Sequence, residues 1–129
     1  MSIDRMSDEA LERLRAACLA FPEATEDYEG VGSPAYKVRG KIFAMRHPAR
    51  DGRPSFWFKG QPGFQDVIVG AEPERFFVPP YVGQHGWVGI WLDVEQDLAF
   101  IADLIDDSYR LTAPKSLTKR LPQRGQPEQ

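Results

Sequence analysis

The first twenty residues place apolar side chains at the spacing of an amphipathic helix. Leu14 and Cys18 lie four residues apart and share one predicted face. Ser7 is a suitable N-cap, because two acidic residues follow it at the positive end of the helix dipole. Phe21-Pro22 ends the pattern, since the residue before a proline is disfavoured in the α region. We predict a helix that ends there, followed by an acidic loop over 23–32.

The next pattern is that of a β-hairpin. Two runs of strand-forming residues, 35–38 and 42–45, flank the tripeptide Arg39-Gly40-Lys41. A two-residue and a three-residue turn are both compatible with this sequence, and they put Lys41 at different positions. A proline- and glycine-containing loop over 47–54 follows, and then a third strand over 55–59. Its three consecutive aromatic residues predict that both of its faces contact apolar groups.

The second half of the chain alternates between short strands and helices. Residues 64–69 fit a short helix better than a strand, and 76–78 fit a short or edge strand because Pro79-Pro80 follows. The segment 86–92 is the strongest predicted strand, with three apolar residues facing each way. The apolar stripe of 95–112 predicts the last major helix.

Antiparallel strands bracketed by helices indicate an α+β fold. We predict one antiparallel sheet with the N- and C-terminal helices packed on it. A chain of 129 residues is long enough for one stable core, and we assign residues 1–122 to a single domain. Residues 115–120 predict a short basic turn, and 123–129 a disordered tail.

Composition excludes several protein classes. Cys18 is the only cysteine, so an intrachain disulfide cannot form, and no signal-peptide pattern opens the chain. No apolar run approaches the roughly 20 residues of a membrane span. These features predict a cytoplasmic protein without a membrane partner.

The positive charge is concentrated in one segment. Residues 31–60 carry a net charge of +6, although the whole chain has a net charge of −3. A basic segment of this kind can bind a polyanion, and the acidic remainder limits the affinity. The alternative is that the charges only solvate the outer faces of the strands. The cations that we predict to contact nucleic acid are Lys37, Arg39, Lys41, Arg46, Arg50 and Arg53.

Two further groups could extend this footprint. Lys115, Lys119 and Arg120 near the C-terminus could follow the phosphate backbone. Trp57 could stack on bases, although packing in the core is the better prediction for it.

The chain offers little for catalysis or metal binding. His47, His85 and Cys18 are far apart in sequence, without the spacing of metal ligands or of a nucleophile and its base. A buried, inert thiol is the better prediction for Cys18. We therefore predict no enzymatic activity, no metal and no cofactor. As an alternative to DNA binding, a small molecule or a protein partner could occupy an aromatic pocket formed by Tyr81, His85, Trp87 and Trp91.

The order of several segments resembles the MmcQ/YjbR family. The segments are 21–26 (FPEATE), 34–44 (PAYKVRGKIFA), 81–93 (YVGQHGWVGIWLD) and 104–115 (LIDDSYRLTAPK). The resemblance covers residues 7–120. It implies an α+β domain of the kind described as a double wing, similar in shape to the DNA-binding domain of a phage transcription factor. It also implies a DNA-binding role, with Lys37 and Lys41 as basic hairpin positions and Trp87 as the strand tryptophan.

Overall fold

The structure is a computed structural model, and it describes residues 3–28, 33–48 and 52–122. Arg50 and the predicted tail 123–129 lie outside the described residues. The helices are α1 (Ile3–Leu19), α2 (Phe64–Ala71), α3 (Leu98–Thr112) and α4 (Lys115–Thr118). The strands are β1 (Thr25–Tyr28), β2 (Pro34–Val38), β3 (Lys41–Pro48), β4 (Pro54–Lys59), β5 (Phe76–Phe77) and β6 (Trp87–Trp91).

The described strands form one antiparallel sheet in the order β1-β2-β3-β4-β6-β5. This α+β architecture confirms the predicted fold class. The two edges are short, and β1 is acidic and mostly exposed, which discourages pairing with another chain. β5 at the other edge confirms that residues 76–78 form only a short edge strand.

β1 corrects one prediction, because its residues were expected to be a loop. Thr25 pairs with Lys37 and Tyr28 with Pro34. The strand has no period-2 apolar pattern, since it lies at an edge and buries little surface. Its position comes from pairing with β2 rather than from its own sequence.

The turn between β2 and β3 contains two residues and therefore resolves the hairpin register. Val38 pairs with Lys41, and the turn residues Arg39 and Gly40 have φ of 51° and 81°. Two positive φ angles in a two-residue turn are typical of type I′, which matches the right-handed twist of the strands. A bulge follows in β3, so that Phe43 and Ala44 both contact the core.

One face of the sheet packs on α1 and α3. α1 contributes Leu14 and Cys18 to the core, which confirms that the thiol is buried. Phe56, Phe58 and Ile90 contribute from the sheet. α3 begins at Leu98 rather than near residue 95, because Asp97 caps it by accepting a hydrogen bond from the Phe100 amide.

Ser108 of α3 connects the helix to two strands. Its hydroxyl accepts a hydrogen bond from the Lys59 amide at 2.9 Å and donates one to the Phe43 carbonyl at 2.6 Å. The neighbouring Tyr109 donates a hydrogen bond to the Pro22 carbonyl at 2.7 Å. The C-terminal half of α3 is therefore anchored beside the β2–β3 turn and the end of β4.

Candidate nucleic-acid interface

The strand register divides the predicted cations between the two ends of the sheet. We call the end that carries the β2–β3 turn the hairpin end. Lys37, Arg39 and Lys41 lie there, together with the last residue of β4, Lys59. Arg46 and Arg53 lie toward the opposite end, where β3 connects to β4. Five residue steps separate Lys41 from Arg46, or roughly 15 Å along the strand, so the predicted set is not one patch.

Two of the hairpin cations are held by carboxylates of the chain itself. The Lys37 ammonium lies 3.1 Å from an Asp27 carboxylate oxygen. The Arg39 guanidinium donates two hydrogen bonds to Glu23, at 2.7 and 2.9 Å. This arrangement holds the pKa of Glu23 below its ordinary value and raises that of Arg39. Both cations are therefore less available to an external phosphate than the sequence predicted.

Arg53 also pairs with a carboxylate of the chain, and it lies against an aromatic ring. Its guanidinium donates hydrogen bonds at 2.8 and 2.7 Å to the two Asp93 oxygens and lies 3.8 Å from the Trp91 ring centroid. Trp91 in turn stacks on Phe77, with ring centroids 4.1 Å apart. A guanidinium fixed between a carboxylate and an aromatic face stabilises the fold. Arg53 is therefore poorly suited to contact nucleic acid.

The C-terminal cations follow the end of α3 that contacts the hairpin end of the sheet. α4 follows the last turn of α3, and the charge of Arg120 contributes to the lowered pKa of Glu23, the partner of Arg39. Lys115 and Lys119 line a shallow pocket beside Arg110, whose own partner is Asp106. Within the part of the chain that the structure describes, five cations at this end form no ion pair. We call them the hairpin-end cations: Lys41, Lys59, Lys115, Lys119 and Arg120.

Lys41 and Lys59 repel each other. Burial of the Lys59 side chain, together with the positive charge of Lys41, lowers the pKa of Lys59. A desolvated ammonium beside a second cation is stabilised when an anion approaches both. Lys59 was part of the basic segment but was not predicted as a contact residue. Its pairing opposite Trp87, rather than its charge alone, places it at the hairpin end.

The four residues of the predicted aromatic pocket do not form one. Trp87 and Trp91 lie at opposite ends of β6, and Trp87 is buried. His85 is exposed, and Tyr81 is 85% exposed.

Trp57, which was predicted to pack in the core rather than to stack on bases, is only 4% exposed. Its ring stacks on His47, and its indole nitrogen donates a hydrogen bond to the Ser55 hydroxyl.

A different pocket, of about 460 Å³, opens at the hairpin end between α3 and the segment that joins β4 to α2. Its walls are mainly apolar, with the Lys59 and Asp107 side chains as its charged groups. No sequence pattern predicted this pocket, because its walls come from three separate elements. Its main lining residues are Phe58, Lys59, Phe64, Val67, Leu104 and Asp107.

Catalytic and metal-binding groups are sparse in the described residues. Burial raises the pKa of the Cys18 thiol, so a nucleophilic thiolate is disfavoured. No group of three or more His, Cys, Asp or Glu side chains within residues 3–28, 33–48 and 52–122 is placed to hold a metal ion. None of the helices in the same ranges combines the length and the apolar composition that a bilayer span requires.

Comparison with known proteins supports the fold and identifies the family. The crystal structure of Deinococcus radiodurans protein DR2400, which carries a DUF419 domain, matches with a TM-score of 0.72 and 20% sequence identity. The match covers 92% of this chain and 95% of the other. No curated protein matches the chain. The sequence model of the YjbR family matches residues 19–111, which is most of the described domain. The chain therefore belongs to the YjbR family.

Proposed function

We propose that this protein is a non-enzymatic, cytoplasmic DNA-binding protein that contacts the phosphate backbone with its hairpin end. One observation carries the proposal: cations from β3, β4 and the α4 region, far apart in sequence, lie toward one end of the sheet and have no carboxylate partner among the residues that the structure describes. Phosphate contacts require cations that can reach a backbone, and carry no base sequence information.

The repulsion between Lys41 and Lys59 supports an external anion at this position. The ammonium of Lys59, whose pKa is lowered by burial and by the charge of Lys41, would be stabilised by a phosphate that lies beside both lysines. In contrast, Lys37, Arg39 and Arg53 already have carboxylate partners. The proposed interface is therefore smaller than the basic segment of the sequence and lies closer to α4.

The expected binding is weak and sensitive to salt. If the five hairpin-end cations neutralise five phosphates, log affinity falls with log salt at a slope of roughly −4 to −5. The net charge of −3 repels DNA at long range, and this repulsion opposes the contact most at low ionic strength, where screening is least.

Fluorescence anisotropy with labelled duplex DNA, over a series of salt concentrations, tests the proposal. The variant Lys41→Ala/Lys119→Ala should weaken binding to all sequences and make the salt slope shallower by about two. Arg13→Ala/Arg46→Ala is the matched control, because it also removes two cations, both away from the hairpin end, and should leave the slope unchanged. Equal losses in both variants, or an affinity that ignores salt, would refute docking by the hairpin end.

The apolar pocket beside Lys59 favours a second candidate function, the binding of a small molecule. Its volume lies within the range of known ligand sites. A thermal-shift panel of aromatic carboxylates and organic phosphates tests this candidate. Stabilisation by one compound, abolished in Leu104→Trp, would place the ligand in the pocket. The absence of any stabilised complex would remove this second function.

A further inference from the structure

The loop of residues 78–86 between β5 and β6 presents an exposed aromatic ring at the hairpin end. Phe77 pairs with Gly89 and Lys59 with Trp87, so this loop lies at the same end of the sheet as Lys59. The Gly60 amide also donates a hydrogen bond to the Gly86 carbonyl at 3.1 Å. The loop therefore contacts the segment that directly follows Lys59.

Tyr81 in this loop has an unfavourable backbone conformation. Its φ is 66°, in the left-handed region that a bulky residue rarely adopts. Tyr81 as a whole residue is 85% exposed, so its side chain gains little from packing in the folded chain. The presence of a tyrosine at position 81 is therefore explained neither by burial of its side chain nor by the backbone conformation that tyrosine prefers. Glycine would satisfy the same turn without strain.

The loop is nevertheless held in place by hydrogen bonds and close packing. The Gly83 amide donates a hydrogen bond to the Pro79 carbonyl at 3.0 Å, and the Gln65 side chain donates one to the Gly83 carbonyl at 2.8 Å. Gly83 is buried, and a Cβ atom there would come within 2.5 Å of the Val78 side chain. Strain that the surrounding structure enforces, at an exposed aromatic residue, is a feature of binding sites.

We infer that Tyr81 is a stacking platform for an unpaired base, so that the hairpin end prefers single-stranded over duplex DNA. This inference rests on the proposed function, since the hairpin-end cations hold the backbone while the ring contacts a base. An aromatic face accepts every base, so the contact adds affinity for single strands without sequence preference. A base within a duplex has both faces covered by its neighbours and cannot stack on Tyr81 in the same way.

Fluorescence anisotropy tests the inference by comparing the affinity for an oligothymidine of about 12 nucleotides with that for a duplex of equal length. This length lies within the site sizes of known single-strand binders. Tyr81→Gly should lose about tenfold in affinity for the single strand, in line with the loss of one stacked base. Its affinity for the duplex should change less than about twofold, because the cations remain. Tyr81→Phe should keep the single-strand affinity, since the ring is retained.

Thermal unfolding of the same variants separates a binding role from a structural one. Tyr81→Gly should unfold at the same temperature as the parent or a higher one, because glycine relieves the strained φ. A large fall in that temperature would show that the ring supports the fold, and would overturn the inference.

Two binding results distinguish this inference from the proposed function. Suppose that Lys41→Ala/Lys119→Ala weakens DNA binding but Tyr81→Gly changes the affinity for neither single-stranded nor duplex DNA. The inference that Tyr81 stacks on a base is then wrong, and the proposed contact with the phosphate backbone stands. If the parent protein binds neither the oligothymidine nor the duplex, both are wrong.

Discussion

The Arg39 guanidinium is bound in bidentate fashion by the Glu23 carboxylate, with nitrogen–oxygen distances of 2.7 and 2.9 Å. The two residues are 16 positions apart, one in the segment after α1 and the other in the hairpin turn. The cation at the tip of the hairpin is thus neutralised by the chain itself. After the larger effect of Arg39, the positive charge of Arg120 also contributes to the lowered pKa of Glu23.

This relationship predicts that removing a carboxylate strengthens DNA binding. Glu23→Gln releases Arg39 for phosphate contact, so affinity for duplex DNA should rise about threefold and the salt slope should steepen by about one. Fluorescence anisotropy over a salt series measures both quantities. Glu95→Gln changes the net charge equally, but Glu95 lies after β6 at the opposite end, and it should have a smaller effect. Identical gains in the two variants would mean that only total charge matters.

A second prediction concerns acid stability and Glu26. Its carboxylate accepts hydrogen bonds from Arg15 at 2.7 Å and from the Tyr36 hydroxyl at 2.9 Å, and chiefly the Arg15 hydrogen bond lowers its pKa below 4.5. Because the folded pKa lies below the unfolded one, this stabilisation is present above about pH 4.5 and is lost as pH falls through the folded pKa. Glu26→Gln should therefore be less stable than the parent at pH 7.

The stability difference should then shrink as the pH falls through the lowered folded-state pKa of Glu26, because the parent carboxylate becomes protonated there. Urea unfolding at a series of pH values measures it. Glu95→Gln again serves as control, since the exposed Glu95 has no ion pair in the described part of the chain. A difference between Glu26→Gln and the parent that stays constant down to acidic pH would contradict this account.

A third prediction concerns Ser108, whose hydroxyl is fully buried. Ser108→Ala leaves the Lys59 amide and the Phe43 carbonyl without this partner, and each buried unsatisfied group costs about 1–3 kcal/mol. Chemical denaturation should show a loss of at least the cost of one such group, about 1–3 kcal/mol, and hydrogen exchange at the Lys59 amide should accelerate. Ser116→Ala on the exposed surface of α4 should leave both nearly unchanged. Unaltered exchange at Lys59 in Ser108→Ala would show that this hydrogen bond is not formed.

A fourth prediction concerns the close approach of Phe77 to β6. A Cβ atom at Gly89 would lie 2.6 Å from two carbons of the Phe77 ring, so Gly89→Ala should destabilise the fold by about 1–3 kcal/mol. Combining it with Phe77→Leu should recover part of that loss, because the smaller side chain vacates the space. Gly70→Ala in α2 meets no atom within 4 Å and should be neutral or stabilising. Additive losses in the double variant would refute the steric explanation.

The sequence predicted the elements whose local pattern is strong. The stripe of α3, the strand at 86–92 and a tight turn within Arg39-Gly40-Lys41 were predicted from the sequence, and the structure contains all three. The length of that turn was left open between two and three residues, and only the strand pairing resolved it. The family could also be identified from the sequence, because the segments that resemble it follow one another along the chain in the expected order, and the family model matches residues 19–111. β1 was missed because an acidic edge strand buries too little surface to leave an apolar pattern.

Only the tertiary structure decided which cations remain available to contact an external phosphate. Charge counting along the chain gave a basic segment, but the carboxylates that pair with Arg39 and Arg53 lie 16 and 40 residues away. Coulomb interactions depend on distance in space, and only the packing of α3 and the strand register bring Glu23, Arg120 and the hairpin together. The sequence by itself therefore determined the fold and the amount of charge, whereas the folded chain determined where that charge can act.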